Sequence, residues 1–160
     1  MLLFFRAILT LLLSRFRSRI GPLDSSTVRF TALPHDCDLN FHLNAGRYIS
    51  FMDICRVELL GRMRILLPAL RRGWRPVMGG CTITFRRSVM PFERFSIQSR
   101  VKAWDEKWVY FEHLVHRADG SLAATGIMRA LLRGKEGSVP TKDVLALLGI
   151  ADMQSPEVPV

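Results

Sequence analysis

Hydrophobic and polar residues change their spacing along the chain, and these changes define the predicted elements. Residues 26–33 alternate well enough to predict a first strand, which Pro34 ends. From about Ala45 to Arg64 apolar residues recur at helical spacing, which predicts one long helix that Pro68 stops. The side chains expected on its buried stripe are Tyr48, Met52, Cys55, Leu59 and Met63, with Arg56, Arg62 and Arg64 toward the flank.

Four runs rich in β-branched and aromatic residues follow the predicted helix. Turn signals separate them at Met90-Pro91, Asp105-Glu106 and Asp119-Gly120, so the pattern predicts an antiparallel meander. A short closing helix is expected next, with Thr141 as its cap and Gly149 at its end. The four predicted strands cover residues 77–89, 92–104, 107–118 and 121–134.

This order of elements predicts an α+β domain with the hotdog fold, an antiparallel five-stranded sheet wrapped around a long central helix. The domain is expected to span residues 24–150, with a polar tail at 151–160. Such a sheet leaves a face and an edge uncovered, and residues 109–115 are among the apolar runs expected at an open edge or face. A homodimer, or a dimer of dimers, would cover them.

The amino-terminal residues 1–20 are apolar and then basic. Arg6 interrupts a run that is too short to span a bilayer comfortably, and Arg15, Arg17 and Arg19 follow it. One interpretation is a helix at a membrane surface, formed by residues 1–19, with arginines at anionic lipid headgroups on the cytoplasmic side. The alternative is a helix that packs on the domain or on a partner subunit.

Composition adds a strong positive charge. The 23 basic and 14 acidic residues give a net charge of +9, and 19 of the basic residues are arginine, a side chain suited to phosphate. An arginine-rich genome would produce the same bias. No nucleic-acid-binding motif accompanies the charge, so a nucleic-acid partner is not expected. Three cysteines without a CxxC pair favour a reducing, cytoplasmic location, and no metal or cofactor is expected.

The loop before the long helix carries the candidate chemistry. Its sequence from Asp36 to Tyr48, DCDLNFHLNAGRY, interleaves polar residues with Leu39, Phe41 and Leu43, as though the segment were partly buried. In an extended loop Asp38, Asn40 and His42 would share one side, close to the unpaired N–H groups of the helix start. Two neighbours have plainer interpretations: Asn44 as a helix cap and Asp36 as a solvated turn residue.

Residues 38–48 resemble the motif of the 4-hydroxybenzoyl-CoA thioesterase family and its acyl-thioesterase relatives, D-x-N-x-H-x-N-N-x-x-Y. The resemblance extends from about Ser26 to Ile150 and implies a hotdog fold. It implies that Asp38 is the catalytic carboxylate, that Asn40 and His42 are the polar pair beside it, and that Tyr48 is the helix tyrosine. The chain departs from the motif where Phe41 replaces a common Gly and Ala45 replaces the second Asn.

The resulting hypothesis is an acyl thioesterase that hydrolyses acyl-CoA or acyl-carrier-protein thioesters with water activated by Asp38. Asn44, Tyr48, Arg86 and Arg87 are assigned to substrate binding, with the two arginines as phosphate ligands. The alternative is a non-catalytic hotdog module that binds acyl chains or associates with a membrane. Structural roles are expected for Glu58 as a surface pair with Arg62 and for Cys81 in the core. His113 and His116 are expected on opposite faces of one strand, where they cannot act as a pair.

Overall fold

A computed structural model describes residues 2–157, so Met1 of the predicted amino-terminal helix and residues 158–160 of the predicted tail lie outside it. One sheet and four helices account for the described chain, with a short 3-10 turn at Pro34–Asp36. The helices are α1 (Leu2–Ser14), α2 (Ala45–Arg62), α3 (Leu66–Arg71) and α4 (Thr141–Ala146), and the strands are β1 (Ser26–Thr31), β2 (Arg75–Phe85), β3 (Arg94–Trp104), β4 (Val109–Arg117), β5 (Leu122–Gly134) and β6 (Gly137–Ser138).

The sheet is antiparallel, with the strand order β1-β3-β4-β5-β2 and the two-residue β6 beside β5. The predicted meander is therefore correct for β3, β4 and β5 but wrong for β2, which pairs with β5 at the far edge. The segment 86–93 after β2 contains Pro91, which has no N–H for a hairpin ladder, and it carries the chain across to β3. The run at 109–115 is not left open as expected, because β4 is central and its Phe111 and Val115 are buried within the single chain.

Helix α2 crosses the concave side of the sheet and supplies the centre of the core. Every residue of the predicted stripe is buried, which confirms it. The Phe51 ring lies 4.7 Å from the Phe30 ring of β1 and 5.2 Å from the Phe95 ring of β3. Each such side chain contributes about 1.5–3 kcal/mol by leaving water. These contacts tie the amino-terminal half of the helix to two strands.

Three local expectations at helix ends and flanks were wrong. Helix α2 ends at Arg62, and Arg64 just beyond it adopts a left-handed φ of 62°. Pro68 lies instead in the first turn of the separate α3, where its missing N–H would have no partner anyway. Arg56 and Arg62 are buried rather than exposed on the flank. Thr141 is the first residue of α4 and not its cap, a position that Pro140 occupies.

Helix α1 packs along α2, in agreement with the second of the two alternatives for the amino-terminal segment. Ser14 is buried against Gly61, where a Cβ atom would lie only 2.9 Å from the Ser14 hydroxyl, so the small residue allows this approach. The opposite side of α1 is apolar and exposed; its large side chains there are Phe4, Phe5, Ile8, Leu9, Leu12 and Leu13. Within residues 2–157, no helix has the length and apolarity needed to cross a membrane.

Candidate active site

The polar segment before α2 is a closed turn, which we call the catalytic loop (residues 36–44) after the role that the motif resemblance predicts for Asp38. Cys37 and Leu43 form a β-bridge at its base, and the Asp38 N–H donates to the His42 carbonyl at 2.9 Å. Phe41 has a left-handed φ of 58°, at the position where the family motif commonly has Gly. The chain therefore turns back between Asp38 and His42 instead of running extended as expected.

The apolar residues of the loop have different environments. Leu43 is buried in the core, but the side chains of Leu39 and Phe41 are 97% and 72% exposed. The expectation of partial burial is therefore wrong for the two residues at the tip. Large exposed apolar side chains at a loop tip are typical of surfaces that meet another molecule.

Asp38 is held with its carboxylate accessible. Its Oδ1 accepts the Asn40 backbone N–H at 2.9 Å, and the side chain remains 31% exposed. The nearest ring nitrogen of His42, Nδ1, lies 3.7 Å from the same oxygen, which is beyond hydrogen-bonding distance. No hydrogen bond within residues 2–157 engages Oδ2. A carboxylate in this setting can accept a proton from water or attack a carbonyl carbon.

The turn brings the predicted polar set together only in part. Asp38 and His42 face each other, while Asn40 contributes its backbone N–H and its side chain is exposed. Asn44 caps α2, as the plainer interpretation expected: its side-chain oxygen accepts the Gly46 N–H at 2.9 Å. The loop thus ends directly at the amino end of α2, where backbone donors favour negative charge.

The other residues assigned to substrate binding lie in two settings, Tyr48 within α2 and Arg86 and Arg87 after β2. Tyr48 is only 2% exposed and packs edge-to-face on Phe85 at 5.1 Å, and burial raises the pKa of its hydroxyl to about 12. Arg86 and Arg87 are exposed just after β2. They lie close to Val89 in sequence, and the Val89 carbonyl accepts the Leu43 N–H of the loop at 2.8 Å. These substrate-binding roles stay predictions.

The expected exposure of Asp36 to solvent was wrong. Asp36 is fully buried rather than a solvated turn residue, and its Oδ2 accepts hydrogen bonds from Arg6 at 2.9 Å and from the Leu33 N–H at 3.1 Å. A buried carboxylate needs such partners. The sequence offered one signal for a buried partner of this kind: Arg6 is the single arginine within the apolar run at the amino terminus.

Glu58 and His113 are buried in structural networks away from the loop. Glu58 lies 3.9 Å from Arg62 in the expected pair, but the pair is buried rather than on the surface. Glu58 also accepts hydrogen bonds from Arg17 at 2.6 Å and from the Ser26 hydroxyl at 2.5 Å. His113 Nδ1 lies 2.7 Å from the Ser99 hydroxyl. Burial, assisted by the charge of Arg56, lowers the pKa of His113 to about 3, so its ring is neutral near pH 7.

Burial also raises the pKa of the Cys81 thiol, which keeps it protonated, and its side chain packs against the core as expected.

An antiparallel sheet curved around one long helix, with a polar loop at the amino end of that helix, defines a hotdog protein. The sequence matches the thioesterase-like superfamily over residues 32–159, and the chain belongs to that family. Both findings confirm the fold and the family that the loop motif indicated.

Individual proteins of known sequence or structure are similar to this chain. Protein THEM6 of Xenopus laevis is 34% identical over 128 residues, which cover 79% of this chain and 60% of that protein. The chain therefore spans about three fifths of that relative's length.

The fold is similar to DHNA-CoA thioesterase from Staphylococcus aureus, with a TM-score of 0.68 at 13% identity and coverage of 80% of this chain and 88% of that one. It is similar to a 4-hydroxybenzoyl-CoA thioesterase mutant complexed with 4-hydroxybenzoyl-CoA, with a TM-score of 0.67, 16% identity and coverage of 78% and 98%.

Proposed function

We propose that the protein is an acyl thioesterase that hydrolyses acyl-CoA or acyl-carrier-protein thioesters at Asp38. The observation that carries the proposal is the Asp38 carboxylate, held by a single backbone N–H at 2.9 Å in the loop that ends at the cap of α2. Membership of the thioesterase-like superfamily supports the reaction class. The two solved neighbours, a DHNA-CoA thioesterase and a 4-hydroxybenzoyl-CoA thioesterase mutant complexed with 4-hydroxybenzoyl-CoA, support the substrate class.

The chemistry needs one water molecule and no cofactor. Asp38 takes a proton from water, and the hydroxide adds to the thioester carbonyl carbon. Negative charge then develops on the carbonyl oxygen, where the N–H groups at the start of α2 would stabilise it. The C–S bond breaks, the thiolate receives the proton from Asp38, and the products are a carboxylic acid and a free thiol. In this scheme His42 and Asn40 orient the attacking water.

Phosphate recognition is assigned to the exposed Arg86 and Arg87, which leave β2 toward the segment that contacts the loop. Guanidinium groups bind phosphate oxygens through paired N–H donors. Both CoA and the carrier-protein prosthetic group carry phosphate, so these arginines suit either carrier. Asn44 and Tyr48 lie at the start of α2 and would bind the acyl part of the substrate.

A second copy of the chain would complete the site. Strand β2 forms an open edge of the sheet and exposes Val77, Met78 and Phe85, and the loop tip exposes Leu39 and Phe41. Pairing of β2 with its symmetry mate removes an edge that would otherwise promote aggregation. We therefore assign a homodimer, which could pair further into a dimer of dimers.

The outer face of α1 would bind the cytoplasmic surface of a membrane. The inner face of the helix is fixed to the domain, so the exposed apolar side chains, including Phe5, Leu9 and Leu12, share one outward direction. Arg15 and Arg19 are exposed at the end of this helix and would meet anionic headgroups. The protein would then be cytoplasmic and peripheral on the inner face.

Thiol release from a panel of acyl-CoAs and acyl-carrier proteins tests the activity directly. Turnover that scales with enzyme concentration and is absent from the Asp38→Asn variant supports hydrolysis at this loop. Binding of acyl-CoA without thiol release would instead establish the non-catalytic acyl-binding module.

A further inference from the structure

The base of the catalytic loop is built around one buried carboxylate, that of Asp36. Its backbone carbonyl accepts the Asn44 N–H at 2.9 Å and so closes the loop at the helix cap. Its side chain accepts the Leu33 N–H, which fixes the chain entering the loop. Asp36 therefore joins both ends of the segment that carries Asp38, and the position of its carboxylate constrains where Asp38 lies.

The cation that holds this carboxylate comes from α1. Arg6 donates to Asp36 Oδ2 at 2.9 Å although 30 residues separate the two in sequence. Arg6 also lies 5.3 Å from the centre of the Phe51 ring. The other arginine nearby, Arg47, has its Nε 3.9 Å from Oδ1, and His35 Nε2 lies 3.3 Å from Oδ1. Of these groups only Arg6 is a permanent cation within hydrogen-bonding distance.

A second ion pair fastens α1 to the domain independently of the first. Arg17, just after the helix, donates to the buried Glu58 at 2.6 Å. Ser14 packs against Gly61 on the same helix face. Loss of the Arg6 contact would therefore leave α1 attached, while it would leave the Asp36 charge buried with a weaker partner.

We propose that Arg6 is a positioning residue for the catalytic loop, through which α1 holds Asp36 and thereby sets the geometry of Asp38. This inference rests on the proposed thioesterase function of the loop. It assigns α1 a role in turnover in addition to its proposed membrane binding, because the helix whose outer face is exposed also holds the base of the catalytic loop. Displacement of a catalytic group by about 1 Å can cost on the order of 100-fold in rate.

Three variants of the full chain test the proposal: Arg6→Met, Arg6→Lys and Arg17→Met. Arg6→Met should lower kcat about tenfold or more while KM changes less than about twofold, because the site is misaligned rather than unable to bind. Arg6→Lys should restore most of kcat, since it keeps a cation near Asp36. Arg17→Met is the matched control: it also removes an α1 arginine from a buried carboxylate, and kcat should stay within about twofold of the wild type.

Hydrogen exchange provides a readout that does not depend on turnover. Amide exchange across residues 36–44 should be faster in Arg6→Met and unchanged in Arg17→Met. If Arg6→Met does not fold, Arg6→Met combined with Asp36→Asn removes both charges and should still show faster exchange in the loop.

The outcomes separate the two proposals. Equal kcat losses in Arg6→Met and Arg17→Met, or unchanged loop exchange in Arg6→Met, would overturn the positioning role. A wild-type protein that releases no thiol would overturn the proposed function alone, and the exchange measurement would then decide whether Arg6 orders the loop.

Discussion

Asp38 receives its hydrogen bond from the Asn40 backbone at 2.9 Å, whereas the His42 ring lies too far away, at 3.7 Å, to bond the same carboxylate. The carboxylate is thus oriented by the turn itself, and its orientation depends on the backbone conformation of residues 38–42. Phe41 at the tip adopts a left-handed φ of 58° as part of this turn, and its side chain makes no contribution to holding the carboxylate.

Replacement of Asp38 by Asn should reduce kcat by at least about 100-fold, because a neutral amide cannot accept the proton from water. The melting temperature should stay within about 2 °C, since Asn can accept the same backbone hydrogen bond and the side chain is partly exposed. Thiol-release kinetics and circular dichroism measure the two effects.

A matched control exists in the β4–β5 turn. Asp119 accepts the Ser121 N–H at 2.9 Å in the same local geometry. Asp119→Asn should leave kcat unchanged, and a variant of Asp38 that keeps wild-type turnover would show that the catalytic assignment is wrong.

The elements that the sequence predicted well are those whose signal is local. The stripe of α2, from Tyr48 to Met63, repeats at helical spacing, and the strand patterns of β3, β4 and β5 are bounded by short turns. The position of β2 beside β5 could not be read in this way, because strand pairing depends on contacts between segments far apart in sequence.

The site shows the same division between local and distant information. The cap role of Asn44 needs only the following turn of helix, and it was predicted. The burial of Asp36 depends on Arg6, which comes from another element, so a short-range reading assigned Asp36 to solvent. The common side expected for Asp38 and Asn40 assumed an extended chain, which the turn at Phe41 excludes.

The triple variant Phe5→Ser, Leu9→Ser, Leu12→Ser should weaken sedimentation with anionic vesicles at least about tenfold, because it removes apolar area that would enter the lipid interface. These side chains are exposed on α1, so the free energy of unfolding should change little. The control is Leu67→Ser with Leu70→Ser, which removes exposed apolar side chains from α3. Equal vesicle binding by the wild type and the triple variant would place any membrane contact elsewhere.

Acid should destabilise the protein partly through His113. Its pKa is about 3 in the folded state, below the ordinary value of 6.5, so the unfolded state binds the proton more tightly. The neutral ring therefore contributes stability above about pH 6.5 that is lost as the pH falls toward 3. Between pH 7 and pH 4.5 the free energy of unfolding should fall roughly 2 kcal/mol more in the wild type than in His113→Gln. Urea unfolding at the two pH values measures these free energies. An equal loss of unfolding free energy in the wild type and in His113→Gln would contradict the assignment.

The last prediction concerns the open edge at β2. Both faces of residues 75–79 are exposed, and the end of the same strand carries Phe85, whose ring packs on that of Tyr48. A symmetric β2–β2 contact should therefore bury the edge and bring each catalytic loop, with Leu39 and Phe41 exposed at its tip, against the other subunit. An interface of this kind is expected to bury more than about 1,000 Å².

Light scattering should therefore report a dimer or a multiple of it for the wild type. Val77→Lys combined with Met78→Lys places two charges in the contact and should yield monomers with much lower kcat/KM, because the loop tip loses its partner. Leu70→Lys, which charges an exposed apolar position on α3, should leave both the assembly and the activity intact. A wild-type protein that is fully active as a monomer at assay concentration would show that one chain contains the complete site, and the exposed loop tip would then have to meet substrate directly.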